Sequence, residues 1–273
     1  MTDFHRLTAD AISGGLPIHR IGRRVLVFDE LDSTNTHALE QLRQSGREAD
    51  GTVVFAEHQS AGRGRLGRKW QSPRGASLLM TALLVDDRAR QTAPRSASSL
   101  ALFVAVAVAE AIRASTDVEA VIRWPNDLYV EDRKLAGILI ETRDWTNGLL
   151  ATAIGVGVNC LQQRAHFPPD LGRPATSLDI ESAKPVDRVG VARAILSRLD
   201  CQLSANDSRL DANADVHEKW KQLSNDIGQR VTLVESGIEY TGRILDLDPL
   251  DGLLLQLDTG ARKAFHPNTT TRL

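Results

Sequence analysis

Hydrophobic and polar positions along the chain change period several times, and each change marks an element. The run at 25–28 reads as a strand. At 33–44 the helical spacing turns Leu39 and Leu42 inward, with Gly46 placed to end the helix and Asp32 or Ser33 to cap its start. The β-branched run at 52–57 predicts a strand that feeds into a glycine-rich stretch, and a second strand at 77–85 follows it. From about 98 to 114 apolar residues cover more than one helical face, and Glu110 and Arg113 come only near the end, so this helix is expected to be buried. Extended segments at 118–124, 128–130, 134–142 and 149–159 are separated by turn residues at Pro125-Asn126-Asp127, Glu131-Asp132 and Asn147-Gly148. They predict an antiparallel meander. Residues 162–187 read as irregular, and 189–203 and 216–223 as helices. After Asn225 only short strands remain, at 230–234, 238–247, 253–257 and 262–265, with turns at Ser236-Gly237 and Asp251-Gly252. That change of texture predicts a small β-barrel at 226–273 beside a larger domain at 1–225.

Composition narrows the class. A chain of 273 residues that is 42% hydrophobic can build one large core and a small one. Its 33 basic and 35 acidic residues leave a charge of -2, so no global field draws it to nucleic acid or to anionic membrane. Cys160 and Cys201 can form neither a disulfide framework nor a four-cysteine zinc site, which fits a reducing compartment. The first residues contain no apolar signal core. The apolar run at 100–109 stops at Glu110, short of the roughly 18 residues that cross a bilayer. A cytoplasmic protein with no membrane segment is the expectation. The seven histidines and two cysteines are given no catalytic role, and Cys160 is expected to be a buried thiol.

The stretch GRGRLGRKW at 62–70 gathers Arg63, Arg65, Arg68 and Lys69 among Gly62, Gly64 and Gly67 and closes on Trp70. Like charges and glycine entropy make this costly unless an anion is expected there. The glycines satisfy G-x-G-x-x-G, and Asp87 lies about twenty residues on. However, a dinucleotide turn must open a helix, whereas Pro73 and Gly75 lead into another strand. Nor is it a P-loop, since Arg68, Lys69 and Trp70 follow Gly67. Alternating glycines and cations, tethered between two strands, instead suit a phosphate-containing ligand over which the loop closes as a lid.

With Gln59 upstream and WQSPRGASLL downstream, this region resembles the biotin protein ligase family. DSTN at 32–35, RWPNDLYVEDRKLAGILIE at 123–141, IGVGVN at 154–159 and PATSL at 174–178 are similar to further family elements in the same order. The resemblance implies an α+β catalytic domain related to class II aminoacyl-tRNA synthetases. It would have a mixed, largely antiparallel sheet with flanking helices, followed by an SH3-like barrel. It implies two half-reactions: biotin and ATP, with Mg²⁺, give biotinyl-5′-AMP and pyrophosphate, and a lysine of a carboxylase's biotin carboxyl carrier domain then takes the biotin. About 22 residues precede the resemblance, too few for a three-helix operator reader, so repression is not expected.

By that resemblance Ser33, Thr34 and Gln59 meet the biotin ring together with backbone near Arg63 and Gly137, and Asn35 belongs to the same binding element. For Ser33 and Thr34 helix capping fits equally well. Lys134 sits between the biotin carboxyl and the α-phosphate, while Arg63 and Arg65 embrace the nascent adenylate, with Gly62, Gly64 and Arg68 in the same loop. Trp70 shields the mixed anhydride from water. Asn126 and Asp127 fall beside the nucleotide, although a turn alone would explain them, and Gly155, Gly157 and Asn159 lie near the adenylate. Asp127 is the candidate to accept a hydrogen bond from the incoming amine. No residue is assigned as a metal ligand. A lipoate or octanoate ligase or transferase of the same superfamily is the nearest alternative. The sequence leaves open whether the chain forms a homodimer through the meander edge.

Overall fold

A computed structural model describes residues 6–87, 97–169, 171–205, 211–248 and 252–273. After a short helix α1 (Ala9–Ser13), seven strands form one mixed sheet: β1 (Arg24–Phe28), β2 (Thr52–Ala56), β3 (Ser77–Asp87), β4 (Val121–Arg123), β5 (Asp127–Val130), β6 (Arg133–Asp144) and β7 (Leu149–Asn159). Their order is β1-β2-β3-β7-β6-β5-β4; β1 and β2 pair parallel, and every other pair is antiparallel. The meander expected over 118–159 is present. Its first strand is shorter than the sequence suggests because β5 offers partners only to Val121, Ile122 and Arg123.

Helices cover both faces of this sheet. On one side α3 (Ala97–Ser115), α5 (Arg188–Ala205) and α6 (Asp211–Leu223) bury Leu78, Met80, Ile154, Val156, Val158 and Ile138. On the other, α2 (Thr34–Ser45) packs Ala38, Leu39 and Leu42 against Val54, Leu83, Ala151 and Ala153. A strand buried on both faces reads as a continuous apolar run, as SLLMTALLV does in β3. Because side chains alternate, α2 shares its face of β7 with Ala151, Ala153, Gly155 and Gly157. The side chains shrink along that face, and beyond the end of α2 the sheet surface becomes a hollow.

The segment 162–187 is not wholly irregular. It holds a turn of 3₁₀ helix at Arg164–His166 and α4 (Leu178–Glu181), whose start is capped by Ser177 Oγ accepting from Ile180 N at 3.2 Å. One buried ion pair fixes the base of the glycine stretch. Arg188, at the start of α5, donates to both carboxylate oxygens of Glu57 at 2.6 and 2.9 Å, just past the end of β2. Removing one partner of such a pair costs about 3–5 kcal/mol, since it strands a buried charge.

The C-terminal strands β8 (Arg230–Glu235), β9 (Ile238–Asp248), β10 (Gly252–Leu257), β11 (Arg262–Phe265) and β12 (Thr270–Arg272) form a separate antiparallel sheet in the order β11-β10-β9-β8-β12. Four of them match the expected strands; the turn assigned to Asp251-Gly252 begins at a residue outside the described ones. The fifth, β12, returns to pair with β8, a pairing the sequence does not foretell. Leu233, Ile244, Leu253 and Phe265 join the core of the first sheet, so the tail docks on it through apolar surface.

Candidate active site

Between β2 and β3 the stretch 62–70 folds back on itself as a narrow hairpin. Trp70 N donates to Gly62 O at 3.0 Å and Gly64 N to Arg68 O at 2.7 Å. The turn falls at Arg65–Gly67, where Leu66 (φ 55°) and Gly67 (φ 75°) are left-handed. Gly67 takes that conformation freely; Leu66 does so at a cost of roughly 1–2 kcal/mol and holds an apolar side chain 59% exposed at the tip. Glycine is needed at 62 for another reason, because a Cβ there would lie 2.4 Å from the Trp70 carbonyl oxygen. No helix opens here, as the sequence argument against a dinucleotide fold requires.

The hairpin roofs the hollow in the sheet and encloses a cavity of about 140 Å³. Ser33, Thr34, Asn35 and Gln59 form one wall, and Arg63, Gly64, Arg65, Arg68 and Trp70 form the roof. Asn126, Asp127 and Lys134 close the far end, and Gly137, Gly155 and Gly157 make the floor. Strand register explains that floor: Gly137 is opposite Gly157, and Leu139 opposite Gly155. The indole of Trp70 occupies the space the glycines leave, since a Cβ at Gly157 would lie 2.8 Å from its ring and one at Gly137 3.1 Å. Its Nε1 is buried with no hydrogen-bond partner among the described residues.

Two residues grouped with this site by sequence stand apart from it. Gly62 shapes the hairpin without lining the cavity. Asn159 lines a second, adjoining cavity of about 990 Å³ and is held by Thr176 O and Gln162 Nε2, both at 2.9 Å. Gln59, Arg68, Trp70, Lys134 and Arg173 line both cavities.

A polar relay runs beneath the wall. Gln59 Oε1 accepts from the Thr34 N–H at 2.7 Å and from its hydroxyl at 3.0 Å, which leaves Gln59 Nε2 as a donor beside Gly62. Thr81, fully buried on β3, donates to Asn35 Oδ1 at 2.6 Å, and Asn35 Nδ2 donates to Glu141 at 2.6 Å. Asn35, which also lines the cavity, thus has both ends of its amide engaged within the protein. Ser33 is the N-cap of α2, yet its side chain makes no capping bond. It lines the cavity.

The cations differ in how they are compensated. Lys134 Nζ lies 2.7 Å from Asp127 Oδ1, off the axis of a hydrogen bond, so the contact is a charge pair. Arg63, expected to await an anion, is instead engaged by Glu141 at 2.9 Å and by Thr36 Oγ1 at 2.8 Å. Arg65 has no hydrogen-bonded carboxylate among the described residues. It donates to Asn126 Oδ1 at 3.2 Å and to the carbonyls of Pro267 and Thr270. Burial pushes its guanidinium below the usual arginine value, Asp127 partly restores it, and Arg68 lowers it further. A half-buried guanidinium whose hydrogen bonds all go to neutral oxygens is suited to accept an anion.

Sequence reasoning missed several residues of the site. Thr270, Thr271 and Arg272 of β12 line the first cavity, with Arg173, which donates to the Arg272 carbonyl. Arg272 in turn pairs with buried Asp226, whose other oxygen accepts from Trp124 N at 2.9 Å. These contacts span 46 to 102 residues and leave no local pattern; a short polar TTR run gives no strand signal. Among the described residues no group of three or more His, Cys, Asp or Glu could hold a metal. No described helix is long and apolar enough to cross a membrane.

The comparisons with known proteins agree with this geometry. The model of the Biotin/lipoate A/B protein ligase family matches residues 27–159. The biotin--[acetyl-CoA-carboxylase] ligase of Mycobacterium tuberculosis (strain ATCC 25618 / H37Rv) is 32% identical over 96% of this chain and 95% of its own. The bifunctional ligase/repressor BirA of Bacillus spizizenii is 31% identical over 95% of this chain and 78% of its own. Among solved structures, biotin protein ligase from Aquifex aeolicus in complex with biotin and ATP superposes with a TM-score of 0.72 at 26% identity, covering 92% of this chain and 100% of that one. The chain therefore belongs to the biotin/lipoate A/B protein ligase family, with the biotin--[acetyl-CoA-carboxylase] ligases among its relatives.

Proposed function

We propose that this chain activates biotin with ATP and transfers it to a lysine of a biotin carboxyl carrier domain. The observation that carries the reading is that Lys134 and Trp70 line both cavities. A carboxylate seated in the smaller cavity and a nucleoside phosphate in the larger one meet at the Lys134 ammonium. There the carboxylate oxygen attacks the α-phosphorus, the bond to the bridging oxygen breaks, and pyrophosphate leaves with its electron pair. Negative charge builds on the phosphoryl oxygens, and preset cations favour that state over the reactants. Arg65 and Arg68 suit this task, with Arg63 placed by Glu141 at the other wall. Ser33, Thr34 and the Gln59 Nε2 donor suit a compact ureido ring, whose polar atoms must all be paired once buried.

In the second step the amine nitrogen attacks the acyl carbon of biotinyl-5′-AMP, AMP departs, and the amide nitrogen loses a proton. A free lysine with a pKa of about 10.4 is almost wholly protonated at neutral pH, so the site must strip or exclude that proton. Asp127, the one carboxylate among the described residues lining either cavity, can accept from the amine when Lys134 turns to the phosphate. Trp70 closes the mixed anhydride from water. The five-stranded sheet supports an SH3-like domain at 226–273 beside a catalytic domain at 1–225, in a cytoplasmic enzyme whose partner is the carrier domain and not nucleic acid.

The test is mass spectrometry of a carrier domain incubated with enzyme, biotin and ATP, with lipoate in a parallel reaction. One biotinyl addition on one lysine is expected, and none with lipoate. Arg65→Ala and Lys134→Ala are expected to abolish the addition without changing the melting temperature; wild-type rates from either variant would remove the assigned roles.

A further inference from the structure

Glu141 lies on β6 outside the cavity lining, and its carboxylate gathers two walls of the site. Arg63 of the hairpin donates to it at 2.9 and 3.3 Å, and Asn35 of α2 at 2.6 Å. We propose that Glu141 is a positioning residue for biotin recognition: it holds the hairpin over the sheet and sets the direction of the hydrogen-bond relay that ends at Gln59. The inference rests on reading the smaller cavity as the biotin site.

The direction follows from donor and acceptor counting. An ionised carboxylate only accepts, so Asn35 must turn Nδ2 to Glu141 and Oδ1 to Thr81. The Thr81 hydroxyl has one proton, and Asn35 Oδ1 at 2.6 Å takes it. Thr34 Oγ1, 2.8 Å away, is a second and weaker acceptor for that same proton; it directs its own proton to Gln59 Oε1 and keeps a lone pair for a ligand N–H. Gln59 accordingly offers a donor to the cavity, and Thr34 an acceptor. Gly155 belongs to the same device, because a Cβ there would lie 2.4 Å from Asn35 Oδ1 and force the amide out of line.

A glutamine at 141 keeps the shape and loses the polarity. Its single oxygen can accept from Arg63 or from Asn35 but not fully from both, and its NH₂ favours an Asn35 turned the other way round. Asn35 Nδ2 then meets Thr81, the Thr81 proton goes to Thr34 Oγ1 alone, and Thr34 is left a weaker acceptor for the ligand.

Glu141→Gln, compared with wild type in biotin-dependent exchange of pyrophosphate into ATP, is expected to raise KM for biotin at least tenfold. KM for ATP should stay within threefold, while kcat falls as Arg63 loses part of its anchor, so the rise in KM for biotin is the deciding readout. A purely structural role would lower kcat through a smaller active fraction but leave KM for biotin in place. Thr81→Val interrupts the relay at constant shape and serves if Glu141→Gln does not fold; it is expected to raise KM for biotin at least fivefold. A KM for biotin within twofold of wild type in either folded variant overturns the proposal while the ligase reading stands. A wild-type enzyme with no biotin-dependent exchange removes both.

Discussion

Gly157→Ala adds one methyl group at the tightest point of the cavity floor. Its Cβ would lie 2.8 Å from Trp70 Cε2 and 2.9 Å from Cζ2. Carbon atoms pack best at about 3.5–4.0 Å, so the indole must retreat by roughly 1 Å. It cannot retreat along the floor, because the Gly137 position and Lys134 crowd its other edge, and its backbone is tied to Gly62 at 3.0 Å. The ring therefore rises into the space reserved for the ligand. Overpacking of this kind costs about 1–3 kcal/mol. Expressed in binding, that is roughly a 5- to 140-fold rise in Kd for biotin. Isothermal titration with biotin reads the change directly, and Trp70→Ala supplies the control, since in its background the new methyl group has nothing to strike. Coupling between the two sites of at least about 1 kcal/mol is expected. A Kd within twofold of wild type for Gly157→Ala, or the same penalty with and without Trp70, would refute the packing argument.

Trypsin should cleave the hairpin after Arg68 or Lys69 in the free protein and more slowly with biotin and ATP present; equal rates by mass spectrometry would exclude closure on ligand. Burial pushes the Cys160 thiol up to about 12, whereas Cys201 is exposed, so iodoacetamide at pH 8.5 should alkylate Cys201 alone in the native protein. Because Cys160 holds its proton longer folded than unfolded, this thiol also makes stability fall as pH rises above about 9, its ordinary value. Asp200→Asn should destabilise the fold by about 1–3 kcal/mol in urea titrations, since the carboxylate accepts from the backbone N–H groups of His19, Arg20 and Ile21. Burial opposes the Asp200 charge, but those donors outweigh it and hold the carboxyl below its ordinary value. Its contribution is therefore complete above the unfolded pKa and lost as pH falls through the lower folded one, so the gap between variant and wild type should close in strong acid.

The meander and the glycine floor were legible because both obey the period of a strand. Gly155 and Gly157 alternate with Ile154, Val156 and Val158, and that alternation sends the glycines to one face and the core to the other. The hairpin was legible as something other than a dinucleotide helix start from Pro73 and Gly75. What escaped was relational. Nothing around Glu141 announces Arg63 and Asn35, which reach it from 78 and 106 residues away. Asn35 was grouped with the site through the resemblance of DSTN at 32–35, and only the fold shows its bonds to Thr81 and Glu141. Strand β12 lacks β-branched apolar residues on a buried face, and it exists because β8 offers it an edge.

That last strand has a consequence for how the molecule comes into being. Arg65 emerges from the ribosome about two hundred residues before Pro267 and Thr270, the carbonyls that clothe its charge. A nascent chain can assemble the seven-stranded sheet, floor and hairpin while its reaction chamber still stands open on one side. Until those carbonyls arrive, Asn126 is, among the described residues, the one hydrogen-bond partner of that guanidinium already made.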